Sequence, residues 1–522
     1  MFRDLKRPSI RAIIILALIG LNAFVLFKAM FTSTHWFWLL PFTVGLLLLA
    51  LYNVFQKQHT ILYNFPLLGY FRYFFESISP ELRQYFLESD LDGKPFSRRQ
   101  RSIVYQRAKD VRQTVAFGMQ EDPNKPGYEW VSHSIFPLKV KHNLRVTIGN
   151  NLCKQHYSAS ILNIGAMSYG ALSKTAIASL NEGAKIGGFA HNTGEGGISE
   201  YHLQGGDLIW QIGTGYFGCR DAFGKFSPPL FKAVAAQEKV KMIELKLSQG
   251  AKPGHGGILP AGKNTVEIAA IRNVTPLTTV YSPPAHSSFA NPVDMIRFVG
   301  FLRTLSGYKP VGFKLCIGNK QEFVKICEAI TLTGIIPDFI TVDGAEGGTG
   351  AAPLEFTDSI GMPLYDAVAF VTQTLHLFGL QQSVKVIASG KIITAFDVMK
   401  VLALGASACY SARGMMFSLG CIQALKCDSG HCPAGIATQE KSLYQGLKVT
   451  DKKVRVANYH RHTLNAIAEM MEACGFEYIS SIKPEKFFRK IDPLTTKSFK
   501  QIYFDRVDEI LKERWFKTEM LN

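Results

Sequence analysis

Three cysteines fall close together, Cys421-x5-Cys427-x4-Cys432, with Pro433 after the last. Thiolates spaced this way can converge on one iron–sulfur cluster, with one iron lacking a protein ligand or lost altogether. The paired C-x2-C of a zinc ribbon is not present in the motif. Reduced structural thiols are the other reading of the same residues. A second group lies in short glycine loops. Ala388-Ser389-Gly390-Lys391 ends one β-rich run, and Ser411-Ala412-Arg413-Gly414 ends the next. Such loops bind phosphate through backbone N–H groups and a following helix N-terminus, with Lys391 or Arg413 adding charge. A third group is polar and scattered through loops: Ser168, Asn192, Glu195, Gln211, Lys246, Lys252 and Lys314. Lysines at strand ends around a common mouth can neutralise a flavin ring edge or a substrate carboxylate. His286, in SPPAHSS, reads as a buried structural histidine.

These residues need elements to hold them. From about residue 158, short β-rich runs alternate with helical stretches: ILNIG (161–165), FAHN (189–192), LIWQIG (208–213), MIELKL (242–247), LTTVYS (277–282), VGFKLC (311–316), FITVDG (339–344), KVIASG (385–390) and ACYSA (408–412). The alternation implies parallel strands with crossover helices, in the α/β class. The expected closed form is a (β/α)8 TIM barrel over 158–440. A doubly wound open sheet is its rival. Nine runs are one too many for eight strands, so one is an insertion. The polar and glycine-rich residues follow the run ends, where a barrel builds its active face. No 20–50-residue repeat is visible, which argues against a solenoid.

At 522 residues the chain has room for a large core without disulfide staples. Its formal net charge is +17. No nucleic-acid module accompanies that charge, so the expected partner is a membrane and not nucleic acid. Residues 10–28 and 36–55 are almost wholly apolar and long enough to cross a bilayer. Arg3, Lys6, Arg7 and Arg11 cluster at the start of the first span and Lys57 follows the second, which puts both flanks on the cytoplasmic side. A signal peptide plus a buried helix is the competing reading. The expected organisation is a two-helix transmembrane hairpin (1–56), a neck (57–157), the barrel (158–440) and a C-terminal helical tail (441–522). Within the neck, YNFPLLGYFRYFFESISPELRQYF either lies on the membrane or packs as a helical neck, and its acidic residues favour the neck. The basic stretch Ser97–Arg107 is expected to be solvated. In the tail, Val456–Cys474 and Lys500–Phe516 read as helices, joined by a connector, SIKPEKFFRKIDP. Nine cysteines, an odd number, behind a cytoplasm-facing hairpin argue against a disulfide framework.

AMSYGALSK (166–174), NTGEGG (192–197), QGAKPGHGGILP (249–260), SPPAH (282–286), DGAEGGTGAAP (343–353) and the cysteine motif through Gln439 resemble, in that order, the synthase domain of glutamate synthase. With its two apolar spans, the chain is similar to the bacterial membrane-anchored FMN-binding glutamate synthase family. The resemblance implies an FMN barrel with a 3Fe–4S cluster at the bacterial inner membrane, catalytic domain in the cytoplasm. It implies reduction of 2-iminoglutarate, formed from 2-oxoglutarate and ammonia, or of a related imino or oxo acid. Cys421, Cys427 and Cys432 match the cluster ligands. By similarity to flavin barrels of the glycolate-oxidase type, Gln211 and Lys314 would contact the flavin ring, with Ser168 and Asn192 near it. Gly390, Lys391, Ala412 and Arg413 would cradle its phosphate. Lys246, Lys252 and Glu195 would be the catalytic and substrate-binding set. LTTVYS would be the surplus strand.

The chain also departs from the family pattern. The family's Glu in PGEGG is His255, its Gln before LPG is Ile258, the second Glu of EGGE is Ile198, and the Arg of SGRFG is Tyr216, with Arg220 nearby. No cysteine precedes Cys153, so the chain is expected not to hydrolyse glutamine. No strand–GxGxxG–helix nicotinamide fingerprint is visible, so a separate electron-donor protein or a membrane quinone is expected. Assembly as a homo-oligomer is a further expectation. Two other readings remain at this point. One is a dehydrogenase of a small amino or hydroxy acid that passes electrons to quinone. The other is a non-catalytic membrane-bound barrel scaffold.

Overall fold

The computed structural model describes residues 9–111, 113–141, 143–505 and 511. Arg3, Lys6, Arg7 and the far end of the expected helix Lys500–Phe516 lie outside the described residues. The chain forms two compact units that divide between Gly93 and Lys94, inside the segment read as a neck.

The first unit holds α1 (Ile10–Phe31) and α2 (Leu40–Phe55), joined by a 3-10 turn over Thr34–Leu39. Ser9 caps α1, and Pro41 occupies the first turn of α2, where its missing N–H is harmless. At 1.5 Å per residue, the 22 residues of α1 reach about 33 Å, the span of a hydrocarbon core. Both α1 and the stretch Thr34–Phe55 are long and apolar enough to cross a membrane. They are clasped by polar groups: Asn22 Nδ2 donates to the Thr43 carbonyl, and Thr43 Oγ1 donates to Asn22 Oδ1 at 2.8 Å.

The second unit is the expected barrel. Its strands are β1 (Leu162–Ile164), β2 (Ala190–Asn192), β3 (Asp207–Ile212), β4 (Val240–Lys246), β5 (Val311–Leu315), β6 (Phe339–Asp343), β7 (Lys385–Ser389) and β8 (Ala408–Ser411). Each pairs in parallel with the next, and β8 closes on β1. Residues two apart point inward together. Ile209, Met242, Phe339, Ile387 and Ala408 form a buried layer low in the barrel. Ile148, Tyr157 and Ala159, from an antiparallel pair of short strands (Arg145–Ile148 with Tyr157–Ser160), join that layer and plug it from below. LTTVYS is indeed the extra run: Val280–Tyr281 pairs antiparallel with Ile258–Leu259 outside the barrel.

Two expectations change. FFRK (487–490), read within a connector, is the central strand of a small antiparallel sheet between Glu129–Val131 and Thr496–Ser498. Its alternation is too short to stand out from sequence. The basic stretch Ser97–Arg107 is not a solvated face. It forms the capped helix Arg98–Ala108, which buries Arg101, Val104 and Arg107. Arg107 donates to Thr463 Oγ1 and Gln113 Oε1, so its charged head is satisfied while its stem packs.

Candidate active site

The loops at the C-terminal ends of the strands enclose a cleft of about 1160 Å³. Ser168, Glu195, Gln211, Lys246, Lys252, Lys314, Gly390, Lys391, Ala412, Arg413 and all three motif cysteines line it. Asn192 lies beneath the lining, fully buried.

The floor is a hydrogen-bonded layer centred on Glu244, a residue the sequence reading missed. Its carboxylate accepts from Asn192 Nδ2 at 2.8 Å, Gln211 Nε2 at 2.7 Å and Thr341 Oγ1 at 2.5 Å. Those bonds satisfy a fully buried carboxylate and fix the Gln211 amide. The signal for Glu244 was present in MIELKL: an acid two residues before Lys246 shares its inward face. Burial and Glu244 push the Tyr410 phenol beside this layer well above its ordinary pKa, so it stays protonated. On the next strands Lys314 Nζ lies 3.3 Å from Asp343 Oδ2, and the Gly250 N–H donates to the same oxygen at 2.8 Å. A side chain at Gly250 would collide with the Gly344 carbonyl, which explains the glycine in QGAKPGHGG.

Cations gather on one wall. Lys246 Nζ pairs with Glu195 Oε1 at 2.8 Å. A Cβ at Gly213 would strike the Glu195 carboxylate, so glycine there makes room for the pair. Burial would raise the Glu195 carboxyl, but Lys246, aided by Lys252 and Arg272, outweighs it and holds the group below its ordinary range. Burial, with the like charge of Lys246, lowers the Lys252 ammonium against the pull of Glu195. Arg272 is the second residue missed. It ends an ordinary-looking helix, Val266–Arg272, yet its Nη2 donates to the Tyr169 carbonyl at 3.0 Å and to Ser168 Oγ at 3.4 Å. Burial lowers its guanidinium to about 10, still charged at neutral pH.

The departures from the family pattern resolve individually. Tyr216 is buried away from the cleft, its hydroxyl donating to Ser288 Oγ at 2.9 Å. Arg220 does not line the cleft, and Arg272 supplies the arginine. Ile258 lines the wall, and Ile198 packs on the core. His255 faces Phe356 edge-on. His286 donates from Nε2 to the Lys246 carbonyl at 2.8 Å and stacks on Phe289, with burial lowering its pKa to about 4. It is a structural brace for the end of β4.

At the far end of the cleft, Gly390 has φ 146° and Lys391 φ 45°, so the chain turns tightly between β7 and its helix. Ala412 begins the helix Arg413–Leu419 without a side-chain cap, which leaves its first N–H groups free for an anion. Arg413 Nη1 reaches 3.9 Å from Cys427 Sγ. The cysteine loop is held from several sides. Tyr105 Oη donates to the Cys421 carbonyl at 2.6 Å, and Lys263 Nζ to the Cys427 carbonyl at 2.6 Å. Gln423 exchanges hydrogen bonds with the Phe96 backbone. Gln423 and Leu425 both adopt left-handed backbone, φ 59° and 55°. Non-glycine residues there carry strain that surrounding contacts must hold. The three thiols are free, and one cation and one guanidinium sit against their loop. Among the described residues, no His, Cys, Asp or Glu group closes tightly enough for a single metal ion.

A family model described as the conserved region in glutamate synthase matches residues 116–477, most of the chain. The chain belongs to the glutamate synthase family. It is an oxidoreductase of glutamate synthase type. It is 38% identical over 482 residues to the glutamate synthase large subunit-like protein YerD of Bacillus subtilis (strain 168), covering 84% of this chain and 91% of that one. The archaeal glutamate synthase [NADPH] of Methanocaldococcus jannaschii is 34% identical over 69% of this chain and 67% of its own length. An archaeal-type glutamate synthase [NADPH] from Thermotoga maritima is 35% identical, and the chain spans 60% of it.

Proposed function

We propose that the chain is a membrane-anchored FMN and iron–sulfur oxidoreductase that reduces 2-iminoglutarate, formed from 2-oxoglutarate and ammonia, or a closely related imino or oxo diacid. The observation that carries this reading is the wall of Lys246, Lys252, Arg272 and Glu195 above a floor set by Gln211 and Lys314. The residues present fit both cofactors. Gly390, Lys391, Ala412 and Arg413 suit a flavin phosphate, since a tight glycine turn, two cations and free N–H groups meet there. Cys421, Cys427 and Cys432 suit a 3Fe–4S cluster, as free thiols on a strained, braced loop. When bound, the flavin supplies a hydride to the imino carbon, and the cluster supplies its electrons singly.

The protein's own groups do the rest. Arg272 and Lys252 bind the substrate carboxylates. The Lys246–Glu195 pair holds a proton between Nζ and Oε1, within reach of a substrate nitrogen. Lys314 puts positive charge at the floor, where a reduced ring carries negative charge. Glu244 keeps the Gln211 amide from turning. The two apolar helices anchor the barrel at a bacterial inner membrane, with the catalytic unit cytoplasmic. Their length and composition, with Arg11 in the first turn of one and Lys57 after the other, support this. Electrons come from a separate donor protein or a quinone. The apolar helices also favour a second reading, oxidation of a small acid with electrons passed to quinone. Reoxidation of substrate-reduced protein by a soluble quinone separates the two.

The deciding experiment is an absorbance spectrum of anaerobically purified protein, with FMN and iron quantified. A flavin spectrum with about three irons per chain, the iron lost in Cys427→Ala while flavin remains, supports the reading. Flavin without iron removes the cluster. Absence of both leaves a scaffold.

A further inference from the structure

The first unit contains a surface that the proposed function does not use. Helix Gly69–Leu82 carries Phe71, Phe74, Phe75, Ile78 and Leu82 at i, i+3, i+4, i+7 and i+11, one continuous stripe. The stripe is uncovered: Phe71 is 63% exposed and Phe74 and Phe75 each 56%. Phe86 and Leu87, just past the helix, are 80% and 78% exposed. The polar arc is elsewhere on the helix, where Arg72 pairs with Glu76 at 2.7 Å.

The other side of the helix is tied to the end of α2. Tyr70 Oη donates to Asn53 Oδ1 at 3.2 Å, and the fully buried Asn53 donates from Nδ2 to the Pro66 carbonyl at 2.6 Å. Tyr73 packs edge-on against His59. Gly69 approaches Leu62 so closely that a Cβ would stand 2.8 Å from Leu62 Cδ2. Arg11, at the start of α1, lies over the Tyr63 ring at 4.4 Å. The helix therefore starts at the level where α1 begins and α2 ends. If α1 and α2 span the bilayer, that level is the membrane–water boundary.

We propose that Gly69–Leu82 lies along the plane of that boundary, with the Phe71–Phe74–Phe75–Ile78 stripe sunk among lipid headgroups and upper acyl chains. Aromatic side chains favour this depth, and an amphipathic helix held there buries its apolar stripe while its polar arc stays wet. This inference rests on the spanning reading of α1 and α2. It deepens that reading by giving the unit a third, in-plane contact that fixes its rotation and depth. It takes the membrane-surface alternative for this segment over the neck.

The test uses the full chain in vesicles of phosphatidylethanolamine and phosphatidylglycerol that carry a traceable lipid. The photoreactive residue p-benzoylphenylalanine is placed singly at Phe71, Phe74 or Phe75, at Glu76 on the polar arc, and at Leu16 and Leu48 on the exposed faces of α1 and α2. Monodisperse elution and an unchanged circular dichroism spectrum confirm each variant's fold. The expected result is lipid adducts at Phe71, Phe74, Phe75, Leu16 and Leu48, and their loss at Glu76. Lipid adducts at Leu16 and Leu48 with only protein adducts at Phe71, Phe74 and Phe75 would overturn the inference and leave the spans standing. Absence of lipid adducts at Leu16 and Leu48 would remove the spanning reading, and this inference with it.

Discussion

Replacing Lys246 by Met tests the electrostatics of the site most directly. Lys246 and Glu195 pair at 2.8 Å, with side chains only 10% and 20% exposed. Removing one partner of a buried pair costs about 3–5 kcal/mol, because the other charge is left without compensation. Lys252 and Arg272 also pull the Glu195 carboxyl down, so part of the compensation survives. The expected loss is therefore about 2–3 kcal/mol. For a unit running from Lys94 to Asn522, an unfolding entropy of ~2.1 cal/mol/K per residue gives ~0.9 kcal/mol/K, so Tm should fall by about 3 °C at neutral pH. The pH dependence has a definite sign. In the parent, Glu195 has a depressed pKa, so its contribution is present above the unfolded value and lost as pH falls through the folded one. In Lys246→Met the same carboxyl rises, which destabilises the fold at neutral pH and ceases to matter once acid protonates it. The Tm deficit should be widest above the ordinary carboxylate range and shrink as pH falls below it, toward the depressed pKa of the paired carboxyl. The assay is differential scanning calorimetry from pH 3.5 upward on the parent, both single variants and Glu195→Gln/Lys246→Met. The double variant should recover part of the loss, since no carboxylate is then left without its closest cation, while Lys252 and Arg272 lose the pull of Glu195. An unchanged Tm in Lys246→Met at pH 7, or a double variant that loses the sum of the two singles, would refute this account.

Other consequences are as concrete. Arg272→Leu removes a charge-assisted anchor of about 1.5–3 kcal/mol, so KM for a diacid should rise about 10- to 150-fold; equal effects on a mono-acid would show the loss is structural. Lys263→Met withdraws a buried positive charge from the Cys427 carbonyl. On the proposed function, a cluster held by that loop should then become harder to reduce, its midpoint potential moving negative in an EPR-monitored titration while Lys263→Arg stays near the parent. His460, bonded to Ser160 and stacked on Phe189 at 3.9 Å, has its pKa lowered by burial to about 3. Between about pH 6.5 and pH 3 the unfolded chain binds the extra proton, so stability falls as pH falls across that window. His460→Phe should flatten this acid limb in urea titrations.

The barrel was legible because its strands are buried on both faces. LIWQIG and FITVDG read as continuous apolar runs, and the polar residues that interrupt them fall at alternate positions. Gln211, Lys246 and Lys314 stood out as polar groups at the ends of apolar runs. Glu244 carries the same signature, but an acid two residues from a lysine reads as half of a surface pair. Arg272 had no signature. Its helix has an ordinary cap and an ordinary apolar face, and only folding brings the last turn over Ser168. The same holds for Tyr105 and Gln423, which brace the cysteine loop across more than 300 residues of chain separation. Single-sequence spacing reports local geometry, and these contacts are not local. The basic helix Arg98–Ala108 misled for the opposite reason: arginine composition suggests solvent, while long stems with paired heads are compatible with burial.

Charge balance links the departures from the family pattern to the substrate. Around Glu195, three cations, Lys246, Lys252 and Arg272, act on that one carboxylate, while Lys314 pairs with Asp343 elsewhere in the lining. The wall is therefore short of two negative charges, the number a dicarboxylate brings. A mono-acid would leave Lys252 or Arg272 buried and unmatched, which the low local polarity penalises. The exchange at His255 removes a carboxylate and the one at Ile258 a hydrogen-bonding side chain from the family pattern, and both leave the three cations in place. Ile258 makes one edge of the pocket apolar, together with Leu259 and Val280 in the lining. Such an edge accommodates methylene groups and disfavours an added hydroxyl or amide on the substrate chain, because that group would be stripped of water without a partner. Two carboxylates joined through a short methylene chain satisfy both constraints, as the proposed 2-iminoglutarate does beyond its imino carbon.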